Sequence, residues 1–184
     1  MTRKLVGAVL CLFAVAVLGA AQEKKMGERR TVTQVLDHAV SNVESEFVPA
    51  AEAMPEDKFG FAPSAGEFKG VRTFGEQVKH VAAVNYVFAA AILGDKAPDD
   101  ESGPESVKSK AEIISYLKES FLSVHKAIQT INEKNLVAPL KSPFGEGSIT
   151  RLSLATSVVA HGFDHYGQMV EYLRMNSIVP PASR

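Results

Sequence analysis

The sequence predicts an all-α protein, a four-helix bundle, and three observations carry that expectation. Four segments place apolar residues at spacings of three and four, the period of one helix face. Two of them open on Thr-x-x-Gln or Thr-x-x-Glu, the form of a helix capping box. The stretches between them are rich in proline, glycine and acidic residues, and none shows the alternation of a half-buried strand.

The first helix is expected from about Thr31 to Met54, with Val32, Val35, Ala39, Val43 and Phe47 as its apolar set. Thr31 and Gln34 form its capping box. Pro49 should kink or end the regular part, because it lacks an N–H and crowds the preceding turn. Residues 55–72 read as a long ordered loop. Thr73 and Glu76 open the second helix, which carries Phe74, Val78, Val81, Asn85, Phe88 and Ile92 and stops at Gly94. Gln77, His80, Val84 and Ala91 lie beside that stripe. An acidic loop, Asp95 to Pro104, precedes a third helix from about Glu105 to Asn132, whose seam is Ile114, Leu117, Phe121, Val124, Ile128 and Ile131. Leu136 to Ile149 has two prolines and two glycines and reads as a loop. The fourth helix is expected from Thr150 to Asn176, about 40 Å at helical rise, with Pro180-Pro181 preventing continuation.

The amino-terminal segment has a different character. Arg3 and Lys4 precede an apolar run from Leu5 to about Leu18, followed by Gly19, Ala20 and Ala21. That three-part pattern predicts a secretory signal peptide, residues 1–21, cleaved near Ala20 or Ala21. The run is short for a membrane anchor. The expected product is an exported protein, periplasmic or secreted, with one domain over residues 22–184. Cys11 is the only cysteine and leaves with the leader, so neither a disulfide nor a thiolate ligand is expected. The formal charge of −1 becomes more negative once Arg3 and Lys4 are lost, and no basic block interrupts the chain. Nucleic acid and, after cleavage, membrane are therefore not expected partners.

All five histidines fall on expected helices: His38, His80, His125, His161 and His165. His161-Gly-Phe-Asp-His165 places two imidazoles one above the other on a single face. Two such rings can converge on one cation at about 2.0–2.1 Å, with His80, midway along the second helix, as a third ligand. Hydrogen-bonded core histidines would satisfy the same spacing. His38 lies near an apolar stripe, either pointing toward the same pocket or bonded to a neighbour, and His125 reads as structural or solvent-exposed. Asp164 and Glu76 are possible acceptors orienting the imidazoles, and Tyr166 and Gln168 possible pocket-lining groups.

The segment Thr73-Phe-Gly-Glu-Gln-Val-Lys-His80-Val81 resembles the second-helix motif of the DinB/YfiT-like metalloenzyme family. His161-Gly-Phe-Asp-His165-Tyr-Gly-Gln168 resembles its fourth-helix motif. Met54-Pro-Glu-Asp-Lys-Phe59 and Tyr172-Leu-Arg-Met-Asn-Ser-Ile-Val-Pro-Pro181 are similar to family members as well, and the motifs keep their order over the whole expected domain. The resemblance implies a four-helix bundle in which His80, His161 and His165 bind a divalent metal, and it implies homodimers.

Three neutral imidazoles would leave at least one coordination position open, the layout of a catalytic zinc site. Zinc is the expected metal, with nickel, iron or manganese compatible with histidine ligation. The expected chemistry is metal-dependent, either transfer to an activated thiol, as the resemblance implies, or hydrolysis through an acidified water. The substrate would be a small molecule of unknown identity. A non-catalytic metal- or ligand-binding module is the alternative.

Overall fold

The computed structural model describes residues 29–184. The expected leader, residues 1–21, lies outside the described residues. From Thr31 onward the chain forms four long helices: α1 (Val32–Ala53), α2 (Phe74–Leu93), α3 (Lys110–Ile128) and α4 (Arg151–Met175). A short hairpin, β1 (Pro139–Lys141) with β2 (Ser148–Thr150), precedes α4. No helix among the described residues is long and apolar enough to cross a membrane.

Local chemistry sets the helix starts. Thr31 with Gln34, Thr73 with Glu76 and Ser109 with Glu112 each form a reciprocal capping box, satisfying amide donors that the first turn leaves free. Thr150 caps α4 by accepting from the Ser153 amide at 3.1 Å. Gly94 ends α2 at φ 83°, a left-handed conformation that costs a glycine little. The third helix is shorter than expected. Ser109, not a residue near Glu105, supplies its cap, and Asn132 and Asn135 fold the chain after Ile131 into side-chain-bonded turns.

Three further expectations are corrected. Of the two outcomes expected at Pro49, a kink or an end, the end is overturned, since α1 runs through it to Ala53. Ala50, Ala51 and Met54 beyond it are fully buried, and that burial offsets the single hydrogen bond the proline cannot donate. The buried face of α1 is Leu36, Val40, Val43 and Phe47, whereas Val35 is 52% exposed. The segment between α3 and α4 is not only loop, since Leu140 pairs with Ile149 in the antiparallel hairpin.

Contacts between helix ends fix the topology. Lys110 at the start of α3 donates to the carbonyls of Glu52 and Met54 at the end of α1 (2.9 and 2.7 Å). Thr33, at the other end of α1, donates to the Ile131 carbonyl. Helices α1 and α3 are therefore antiparallel. Arg151 at the start of α4 reaches the Ile92 carbonyl at the end of α2, so α2 and α4 are antiparallel too. Lys58, just past α1, meets the Asn176 carbonyl at the end of α4, so α1 and α4 run parallel. It follows that α2 and α3 are also parallel. Helix α2 packs on α3 and α4, and α1 packs on those same two helices.

Two parallel helices that follow one another in sequence need a return path. Residues 94–109 provide it by running back along the bundle. Gly103, at φ 71°, brings this crossover so close that an added Cβ would lie 3.2 Å from Tyr116, 3.3 Å from Lys79 and 3.4 Å from Ala83. With helices on two sides and the crossover on a third, α2 is buried nearly all round, from Phe74 to Ile92. His80 sits in the middle of that buried helix.

Candidate metal centre

His80 projects from α2, and His161 and His165 project from one face of the adjacent antiparallel α4. Each offers a nitrogen, and the three nitrogens lie within 4.8 Å of one another. The Nε2 atoms of His80 and His161 are 3.2 Å apart, close to the spacing of about 3.3 Å for two nitrogens on one tetrahedral cation at the usual Zn–N length. The ring centroids of His161 and His165 are 4.5 Å apart, and those of His80 and His165 are 4.9 Å apart.

Partners outside the trio fix two of the three tautomers. The His80 Nδ1–H donates to the Glu101 carbonyl at 2.8 Å. The His165 Nδ1–H donates to Gln77 Oε1 at 2.5 Å. Both Nε2 atoms therefore turn their lone pairs into the cluster, as metal ligation requires, where the His80 lone pair can also accept from His161 Nε2–H at 3.2 Å. The Nδ1 of His161 is buried without a hydrogen-bond partner among the described residues. One proton on His161 Nε2 serves a single neighbouring lone pair, whereas a divalent cation accepts an electron pair from all three nitrogens at once and leaves His161 Nδ1 as the N–H, so the donor set fits a metal.

The electrostatics keep the imidazoles neutral. Burial, reinforced by the other two histidines and by Arg72, holds His161 down to about 3. Burial, with His80 adding to it, holds His165 down to about 4. His80 is also lowered, by burial first, against the opposing bond to the Glu101 carbonyl. Neutral rings at physiological pH have their lone pairs available without displacing a proton.

A chain of polar groups backs His165. Gln77 accepts from His165 and donates through Nε2 to Gln168 Oε1 at 2.8 Å. Gln168 donates in turn to Asp164 Oδ2 at 3.1 Å. Gln168 thus acts on the cluster through Gln77, and Asp164 ends this chain while its charge also opposes the lowering of His165. That residue carries the arrangement, and sequence reasoning placed it only beside the stripe; its position one turn before His80 on α2 was the available signal.

The other flagged residues lie elsewhere. His38 is exposed on α1 and does not join the cluster. Glu76 is used by the capping box of α2. Tyr166 faces Glu46 on α1, and its phenol is raised by burial first and by that carboxylate. His125 is clamped on α3 between Asp37 (2.7 Å) and Glu44 (3.0 Å) of α1.

A cavity of about 1100 Å³ lies between the crossover, from Asp95 to Glu101, and the hairpin, from Leu140 to Glu146. None of the three histidines lines it, so it borders the cluster rather than containing it. It meets the site at Glu101, whose carbonyl holds His80, and at Phe144. The Phe144 ring lies 5.4 Å from Phe88, which lies 6.1 Å from His161. Its size is at the upper end of small-molecule sites.

Fold and site together define a class: an up-down-down-up helical bundle with a three-histidine cluster between its second and fourth helices. The sequence profile of the DinB superfamily matches residues 39–169, more than half of the chain, and the chain belongs to that family. Solved structures share the fold. A DinB-like protein from Bacillus cereus ATCC 10987 superposes with a TM-score of 0.68 at 14% identity, over 84% of this chain and 98% of that one. The DinB-like protein YjoA from Bacillus subtilis gives 0.60 at 20% identity, over 78% and 92%. YfiT from Bacillus subtilis, described as a probable metal-dependent hydrolase with an unusual four-helix bundle topology, gives 0.61 at 16% identity, over 85% and 95%. No curated protein matches the chain.

Proposed function

We propose that this chain is a metal-dependent hydrolase acting on a small molecule, with zinc held by His80, His161 and His165. One observation carries the reading: three neutral imidazoles converge, two of them with tautomers fixed for ligation, and among the described residues no fourth protein ligand joins them. Three protein ligands leave a position for water or substrate, as in catalytic rather than structural zinc sites. The description of YfiT as a probable metal-dependent hydrolase supports the same reaction class.

When bound, the metal would supply Lewis acidity, polarising a carbonyl and making a water acidic near neutral pH. The chain's own residues do the rest. Gln77 and the Glu101 carbonyl hold His165 and His80 in the ligating tautomer. Phe88 packs edge-on beside His161, with Phe144 against its other side, and gives the site an apolar flank. The cavity beside them offers room for the remainder of the substrate.

The test is elemental analysis of purified protein, followed by ester and amide hydrolysis and thiol-transfer panels on the zinc-loaded form. Support would be one metal per chain, lost in His161→Ala, together with hydrolysis. Metal without turnover would favour a non-catalytic binding module, and thiol transfer without hydrolysis would favour a transferase. Metal-free protein would sink the reading. The leader-like segment supports export and the family resemblance supports a homodimer; amino-terminal sequencing of the native protein and light scattering check these in turn.

A further inference from the structure

Arg72 ends the long loop before α2, and its position is held from two sides. Its carbonyl accepts from the Tyr172 hydroxyl at 3.2 Å, and Tyr172 lies two turns beyond His165 on α4. Its guanidinium faces Glu101 on the crossover, Nη2 to Oε1 at 3.7 Å, and the Glu101 carbonyl is the group that holds His80. The side chain therefore reaches the same crossover residue that holds His80, and its charge adds, as a lesser cause after burial, to the lowering of all three imidazoles.

This guanidinium is under-used. At 3.7 Å its contact with Glu101 is longer than a charge-assisted hydrogen bond of about 2.7–2.9 Å. Among the described residues its five donors make no hydrogen bond, and the side chain is 42% exposed. A cation beside a divalent metal site is also repulsive by itself. The repulsion becomes attraction when an anion lies between the two charges, and the planar guanidinium fork matches a carboxylate. Glu101 shows that a carboxylate can reach Arg72 in this setting, although loosely.

We propose that Arg72 is a substrate-anchoring residue, binding a carboxylate of the molecule whose reacting group lies at the three-histidine centre. The inference rests on the metal reading above. In it, the substrate carboxylate displaces Glu101 from the guanidinium, while the Glu101 backbone continues to hold His80. Substrates would then be small acids, or amides and esters bearing a free carboxylate near the bond that breaks.

The test uses cobalt(II)-loaded protein, titrated separately with acetate and with imidazole while the visible absorption of the metal is followed. Arg72→Gln should weaken acetate binding about tenfold, the scale of one partly exposed charge pair, and leave imidazole binding unchanged. Arg72→Lys should recover part of the acetate affinity. Glu101→Gln, which removes the competing carboxylate and keeps the backbone carbonyl, should strengthen acetate binding. Equal acetate affinity in wild type and Arg72→Gln, or parallel loss of acetate and imidazole, would overturn the assignment while the metal reading stands. Protein that takes up no cobalt would overturn both.

Discussion

His165 and Gln77 are joined by a 2.5 Å hydrogen bond from the imidazole Nδ1–H to the amide oxygen, across the interface of α4 and α2. Gln77 is 3% exposed and His165 7%, so neither can replace the other with water at little cost. Gln77→Leu should lower metal affinity about 10–100-fold, the usual effect of losing a group that orients a ligand. Gln77→Glu keeps the acceptor and should lose much less. Zinc titration against a chromogenic chelator checks this; equal affinity in wild type and Gln77→Leu would remove Gln77 from the site.

Gly162, between the two α4 histidines, lets α4 approach α1 closely. A Cβ there would lie 2.6 Å from Val43 Cγ2. Gly162→Ala should therefore destabilise the fold by about 1–3 kcal/mol, an overpacking cost. The double variant with Val43→Ala should recover much of the loss, since the clashing methyl is gone. Urea unfolding of the four proteins gives the coupling directly, and additive effects would show that the clash is relieved elsewhere.

The His125 clamp predicts a pH dependence of defined sign. Burial lowers this imidazole, but hydrogen bonds to Asp37 and Glu44, with their charges, outweigh it and leave it raised above 6.5. Gln129 also donates to Asp37. The folded state therefore binds the proton more tightly than the unfolded chain does. The contribution is complete below about pH 6.5 and is lost as pH rises through the raised value. The stability gap between wild type and His125→Gln should shrink as pH rises above about 6.5; a gap that stays constant or widens there contradicts the clamp.

Gly103 couples the crossover to the site. Its left-handed φ and the 3.2 Å approach to Tyr116 both disfavour a side chain. Gly103→Val should lift the crossover, weaken the Glu101–His80 bond and reduce metal affinity, with the helical content unchanged by circular dichroism. Unchanged metal affinity would mean that residues 100–102 hold their place without it.

The bundle was legible because periodicity and caps are local. Thr31, Thr73 and Gly94 announce helix limits through chemistry within four residues. Spacing alone paired His161 with His165, and the structure brings His80 beside them. Less was legible where the decision depended on distant partners. Whether α1 would bury Val35 or Leu36 depends on the directions of α3 and α4, and Pro49 is tolerated because of what packs beyond it. Gln77 was passed over because a buried amide is recognised only by the two groups it bridges. Arg72 and Glu101 come together across two loops whose path follows from the parallel placement of α2 and α3, which no local pattern encodes.

The crossover touches His80 through the main chain of Glu101, not through its side chain. Any amino acid with a carbonyl could serve at that point. The three imidazoles stand on rigid helices, whereas Arg72, Glu101 and Phe144 ride on connecting segments. The scaffold is therefore suited to grafting. A new crossover or hairpin tip could change which molecules the protein accepts, provided it keeps the glycine turn at 103, while the histidine trio is inherited intact.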